Sequence, residues 1–419
     1  MRGEVSEILC TNKTEVSRSW LDDLLIILVL LVSTRAAFVN FESEATILIF
    51  LVSGIIWLFR GARIVPAALI FVTVSLVWLS LHAILHDMTN AKTLAGHFVR
   101  ILIAFFVLGI VARPLDVFVK WVTVFSSVGL GLFFIGLLAP TLTEVLYDAT
   151  PAVLQFSGGT VVGEQLTGAW ARASWLFYIF APERSTQNHG FMWEPAAYAM
   201  VCSFALWCRI LAGRYQFDRT NIILLLAIAS TVSTTGTVGL AISLGVMLLH
   251  RGVTGALVIL LTLPMALAFF FNADFLVAKI LAEVTSGYSV YMQWGLSRSA
   301  SFQLDMQSLR HALILGNGIV VEASDTLLFR LPSNNGFSDY LARHGLVMSA
   351  YLAGIFMLGT YKQFRVGLLK VLCFCAVVFL FAWSEKFFEL PLFYLLAFAG
   401  YYRREHAVSP HTSGLHLIS

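Results

Sequence analysis

Long apolar runs broken by short polar segments recur along the whole chain. Each run is roughly 15–25 residues, near the ~20 that a helix needs to cross a ~30 Å hydrocarbon core. They predict spans over Leu21–Val39, Thr46–Phe59, Ile64–His86, Thr93–Ala112 and Leu115–Ala139. Further spans are expected over Phe191–Leu211, Asn221–Thr235, Gly236–His250 and Gly252–Phe271, then Leu346–Tyr361, Gly367–Trp383 and Phe387–Tyr401. The pattern predicts an all-α, polytopic transmembrane helical bundle of about twelve spans, a single integral membrane domain over residues 1–419. The first run follows a charged segment and lacks a small-residue cleavage site, so no cleavable signal peptide is expected.

The polar segments between runs set the orientation, because Lys and Arg concentrate in short cytoplasmic loops. Arg60 with Arg63, Arg113 with Lys120, Arg209 with Arg214 and Arg219, and Lys362 with Arg365 and Lys370 mark one side. Arg403 and Arg404 put the C-terminal tail there too, and both termini are expected in the cytoplasm. Arg219 and Arg251 bracket Asn221–His250, which predicts a hairpin turning at Thr235-Gly236. Its arms of ~15 residues reach only ~22 Å, so the turn should sit below the outer surface, against protein or a wet cavity. Two long segments, about 140–190 and 272–345, then fall outside, where short helices are expected. No internal repeat is visible between the halves, unlike an inverted-repeat transporter.

Composition agrees with this class: 58% of residues are hydrophobic and 12% charged, against about 25% charged in soluble domains. Such scarce charge excludes a soluble single-core enzyme, and the apolar excess excludes disorder. The net charge of +3, without a basic block, argues against nucleic acid as partner. Of the cysteines, Cys202, Cys208, Cys373 and Cys375 lie in spans and Cys10 in the tail, so neither a disulfide framework nor a metal site is expected.

Four polar constellations stand out. Asn188-His189-Gly190-Phe191-Met192-Trp193-Glu194-Pro195 opens a span; Pro195 suits a first helical position and puts Glu194 beside the helix N-terminus. A cap anchored by an interfacial Trp193 would explain the same residues. Ala196, Ala197 and Ala199 allow close helix approach inside the bundle. Five hydroxyls lie in Thr231–Thr237, around Ser233, Thr234 and Thr235, and read as the floor of a polar cavity. Gly316-Asn317-Gly318, and Pro332–Phe337 followed by Arg343-His344-Gly345, have turn chemistry, without the strand–helix context of a P-loop.

Taken in order, NHGFMWEPAAYA, TVSTTG within a hydrophobic hairpin, GNG, and SNNGFxxYLxxxG resuming a span resemble bacterial O-antigen and exopolysaccharide polymerases, between about Gln187 and Gly345. The resemblance implies a multi-span, inverting glycosyltransferase of the bacterial inner membrane. It would join oligosaccharide repeat units carried on undecaprenyl pyrophosphate at the outer face, with a chain-length regulator protein as further partner. Related O-antigen ligases share the architecture. This chain has Asn334-Asn335 where the ligase pattern has His-Asn, and Thr234 where it has Arg. Gln187 stands where polymerases often carry Arg, with Arg184 one turn upstream.

Transfer from a polyprenyl pyrophosphate needs positive charge at the leaving group and a base for the acceptor hydroxyl. Arginine suits the first, being permanently charged and bidentate. The outer segments supply Arg172, Arg184, Arg298, Arg310, Arg330 and Arg343, and two spans carry Arg35 and Arg100, with His97 one turn before Arg100. Snorkelling accounts for Arg35 better than for the deeper Arg100, which could instead pair with Glu194 or another buried carboxylate. The order of preference for pyrophosphate is Arg184, Arg298, Arg310, Arg100; Asn188, Trp193, Ser233, Thr234, Thr235, Asn317 and Asn335 complete the expected substrate contacts. Glu194 is the first choice of base, with His189 and His344 as alternatives. No metal or other cofactor is expected, since arginines can stabilise the leaving group. A flippase or transporter for lipid-linked sugar is the competing class; it should line a path to the cytoplasmic half, whereas these residues gather outside.

Overall fold

The computed structural model describes residues 20–34, 37–38, 41–60, 62, 64–85, 91–162, 165–181, 186–272, 298–310, 312–318, 333 and 335–402. It is predominantly helical. In chain order come α1 (Trp20–Ser33), α2 (Glu42–Phe59), α3 (Pro66–Leu85), α4 (Ala91–Ile110), α5 (Pro114–Leu138) and α6 (Pro140–Asp148). After a small sheet follow α7 (Pro195–Leu211), α8 (Arg219–Ser230), α9 (Thr234–Leu249), α10 (Val253–Asn272) and α11 (Arg298–Leu309). The last three are α12 (Gly336–Phe364), α13 (Leu368–Ser384) and α14 (Pro391–Phe398). Among the described residues five helices are long and apolar enough to cross a membrane: α2, α3, α4, α5 and α12. Helices α7, α8, α9 and α13 and the run Pro391–Tyr401 are apolar but shorter.

Helix α7 is the axis of the bundle, buried along its whole length, with α5, α8, α9 and α13 packed around it. Small residues make this possible. A Cβ on Gly236 would stand 2.9 Å from Ala199 Cβ, and one on Gly239 3.1 Å from the Phe381 ring. Between helices in a membrane, such close approach and its dispersion energy replace the hydrophobic drive that water would supply. The Phe204 ring meets Phe381 at 6.2 Å and Phe387 at 5.5 Å, which ties the loop leading into α14 to this axis.

The expected hairpin is present, but it turns at Thr231–Ser233, earlier than Thr235-Gly236. Ser233 decides the position: its hydroxyl accepts the Gly236 N–H at 3.3 Å and caps α9, while Val232 takes a left-handed φ of 47°. The segment from residue 140 also differs from expectation. It holds the short helix α6, but residues 155–180 form an antiparallel sheet of β1 (Gln155–Val162), β2 (Gln165–Ser174) and β3 (Ile179–Phe180), in the order β1-β2-β3. Gln155 pairs with Ala173 and Val162 with Gln165, with a register shift between Gly158 and Thr160. Thr160, Val161, Val162, Thr167 and Trp170 are strand formers in a segment whose apolar content alone does not reveal the period. In the second long segment α11 is the described helix.

Helix α12 begins at Gly336, ten residues before the expected span at Leu346, because Asn335 caps it: its Oδ1 accepts the Ser338 N–H at 3.0 Å. Arg343, His344 and Gly345 are therefore helical-segment residues rather than loop residues. At Gly345 (φ 73°, ψ 175°) the helix breaks. The GNG turn plugs the break: Asn317 N–H donates to Ala342 O at 2.8 Å and Gly318 N–H to Arg343 O at 3.1 Å. In return Leu346 N–H donates to Leu313 O at 2.9 Å. Broken backbone inside a bundle persists only where protein satisfies it in this way. The final expected span, Phe387–Tyr401, also starts late. Pro391 opens α14 as a first-turn residue and disfavours helix at the residue before it, leaving Glu385–Leu390 as a connecting loop.

Candidate functional site

One end of the bundle gathers charge in its interior. Oε1 of Glu389, in the α13–α14 loop, lies 3.6 Å from His344 Nε2, 4.0 Å from His97 Nδ1 and 4.0 Å from Arg343 Nη1. Four elements deliver these groups: the second turn of α4, the last turn of α12 before its break, and the loop leading into α14, with His82 closing from the end of α3. The His82 ring lies parallel to His344, centroids 6.0 Å apart, and Tyr340 covers His344 at 4.3 Å. His82, His97 and His344 are all buried. The His82 and Tyr340 rings both pack on the His344 imidazole, whose Nε2 faces the Glu389 carboxylate.

The charges form a chain. Arg343 donates from Nε to Asp339 Oδ1 at 3.0 Å, and Lys386 Nζ reaches Asp339 Oδ2 at 3.2 Å. Arg343 thus bridges Asp339 and Glu389. Burial alone would raise the Glu389 pKa, but the surrounding His344, His97 and Arg343 outweigh it and hold the carboxyl well below the usual range. Arg100, one turn after His97, pairs with Glu42 Oε1 at 3.1 Å. The carboxylate partner is Glu42 at the head of α2, not Glu194.

The other expected residues fall into two groups. The first collects around the hairpin tip. Asn188 is fully buried: its backbone N–H donates to Ser230 O at 3.0 Å, its Nδ2 to Ser230 Oγ at 2.9 Å, and its Oδ1 accepts the Gly190 N–H at 2.8 Å. The NHGFMWEP segment therefore lies directly on the tip. His189 is buried, Trp193 is half-buried and its carbonyl accepts from Arg172, and Glu194 is the half-buried N-cap residue of α7 without a side-chain capping bond. The tip hydroxyls serve backbone: Thr231 bonds Ile228 O at 2.7 Å, Thr237 bonds Ser233 O at 2.9 Å, and Ser233 caps α9. Thr234 is half-buried and Thr235 buried beside them. This tip shares an end of the bundle with Glu389, since Gly239 on α9 faces Phe381 near the end of α13.

The second group lies on the segment after α10. Asn317 holds Ser308 Oγ through Nδ2 at 2.6 Å, and its backbone N–H is spent on the α12 break. Arg298 is the half-buried first residue of α11, and Arg310 is exposed just past its end. Arg35, Arg184, Arg330 and Asn334 lie outside the described residues. Of the residues singled out in the sequence, the structure brings Arg343, His344 and His97 into the charged cluster, with Arg100 one turn from His97.

Glu389 and His82 escape a reading of the sequence alone. Glu389 lies inside an expected span, where a signal exists: Glu385-Lys386-Phe387-Phe388-Glu389-Leu390-Pro391 carries three charges, then a proline, between two apolar runs. No protein-family model matches the chain, and no curated protein matches it. Among the described residues no group of three or more His, Cys, Asp and Glu side chains could hold a metal ion.

Proposed function

We propose that the chain is a polysaccharide polymerase embedded in the bacterial inner membrane, with twelve membrane-inserted helices and both termini in the cytoplasm. In this reading it joins oligosaccharide repeat units carried on undecaprenyl pyrophosphate. The observation that carries it is the interior Glu389–His344–Arg343–His97 cluster at the bundle end that also holds the hairpin tip and the segment following α5. The acceptor hydroxyl oxygen attacks the anomeric carbon of the donor sugar. The bond from that carbon to the pyrophosphate oxygen breaks with inversion, and the lipid pyrophosphate leaves with the electron pair. His344 takes the hydroxyl proton, and the ionised Glu389 stabilises the imidazolium that forms. Arg343 and Arg100 exchange carboxylate partners for phosphate oxygens, which a guanidinium binds with two parallel donors. Glu194, the N-cap residue of α7, belongs to the hairpin-tip group and is the alternative base in this reading.

The outward clustering favours this class over a flippase, which needs a polar path through the other half of the bilayer. Chromosomal Glu389→Gln and His344→Ala strains should lose long-chain polysaccharide at unchanged protein level and accumulate carrier lipid bearing one repeat unit. Long chains persisting in both strains would sink the assignment. Finished polymer retained on the carrier would instead indicate a ligase, and single units confined to the cytoplasmic leaflet a flippase.

A further inference from the structure

Next along α12 from Asp339, Ser338 belongs to a second polar group that the transfer chemistry above does not use. Asp305 on α11 accepts from Ser333 Oγ at 2.7 Å and from Ser338 Oγ at 2.5 Å. Ser333 Oγ also receives the Asn335 N–H at 3.2 Å, so Asp305 and Asn335 share one hydrogen-bonded node. Gly336 presses on the neighbouring loop so closely that a Cβ there would stand 2.0 Å from Glu385 O. That contact brings Asn335 against the end of α13. There Ser384 is buried, and one turn of α11 away from Asp305 the half-buried rings of Phe302 and Trp383 meet at 5.0 Å.

Two buried groups at this junction have no hydrogen-bond partner among the described residues: Asn335 Nδ2, on a residue with 0% exposure, and Ser384 Oγ. A buried donor left unmade costs about 1–3 kcal/mol, so a fold keeps such groups where an occupant satisfies them. The occupant must accept from an amide, exchange bonds with a hydroxyl, donate to a carboxylate and cover an aromatic pair with an apolar face. A pyranose ring does all four, with hydroxyls around its rim and C–H bonds on its faces.

We propose that Asp305, Asn335, Ser384 and the Phe302–Trp383 pair form a saccharide subsite, which seats a sugar ring of the repeat unit next to the Arg343–Glu389 cluster. This inference rests on the polymerase reading for its ligand, but its test can fail separately. The probe is the oligosaccharide released by mild acid from the cell's own lipid-linked repeat unit, titrated calorimetrically onto the full chain in lipid nanodiscs. Wild type should bind it saturably. Asp305→Asn, Asn335→Asp (which keeps the capping oxygen but loses the amide donor) and Trp383→Ala should each weaken binding by roughly tenfold or more, the loss of one strong contact. Trp383→Phe should restore it, and Glu389→Gln should bind normally while making no polymer. Unchanged affinity in all three weakening variants, each with a wild-type melting profile, overturns the subsite. So does absence of saturable binding to wild type. If Glu389→Gln cells keep long chains, the polymerase reading falls. Saccharide binding that still depends on Asp305 and Trp383 would uphold the subsite even then.

Discussion

Replacing Gly316 by alanine should unseat the turn that plugs the break in α12. Two penalties act together. Gly316 has a φ of 79°, and a residue with a Cβ pays roughly 1–2 kcal/mol there. The new Cβ would also lie 2.3 Å from Arg343 O and 2.4 Å from Gly345 N, both backbone atoms that cannot swing aside. Relief requires the turn to lift away, which breaks the bonds from Asn317 to Ala342 and from Gly318 to Arg343. Buried carbonyls left unsatisfied cost about 1–3 kcal/mol each, so the total is about 3 kcal/mol or more. Gly213→Ala isolates the first penalty: its φ is 80°, but a methyl group there would meet nothing within 4 Å. Thermal unfolding in detergent, followed by tryptophan emission, should show Gly213→Ala slightly below wild type and Gly316→Ala far lower. Equal melting temperatures for the two variants would refute the plug, because strain alone would then account for both.

Two further outcomes rest on the same structure. Burial raises the Asp305 pKa, against the lowering effect of Ser338 and Ser333, so the folded state holds this proton more tightly than the unfolded chain. Asp305 therefore adds stability as pH falls from neutrality through its raised pKa and loses it as pH rises; Asp305→Asn should flatten that component of the melting temperature against pH, and an unchanged slope would count against it. For topology, a cysteine at the exposed Val153 should react with an impermeant maleimide on spheroplasts, and one at Arg214 only after permeabilisation. The native Cys202 and Cys208 are buried and should add little background, and labelling in the reverse order would invert the orientation.

The bundle is legible in the sequence because an apolar run is a property of composition, readable without partners. Ala196, Ala197 and Ala199 reveal α7 as an interior helix, and the flanking arginines reveal the hairpin. What stays hidden are contacts between distant segments. Glu389 acquires meaning only beside His97 and His344, and one dimension does not show that these share an end of the bundle. Gly316 and Gly345 read as two turns; their shared role depends on one filling the gap the other creates. The hydroxyls at Thr231–Thr237 mislead for the opposite reason. A run of Ser and Thr looks like an open polar surface, yet Thr231, Ser233 and Thr237 close on their own backbone once the helix ends are in place.

The position of α14 bears on how the molecule is made. This helix is buried over its whole length, and its Leu392 N–H donates to Ser33 Oγ at the end of α1, so the last described helix is clasped by the first. Synthesis delivers His97 early and Glu389 late, with segments ordering from the N-terminus onward. Until α14 enters, the slot it fills stays open, and Arg343, His97 and His344 wait without the carboxylate that faces them. Among the described residues the charged cluster is therefore completed late: the helices that carry His97 and His344 precede the segment that brings Glu389.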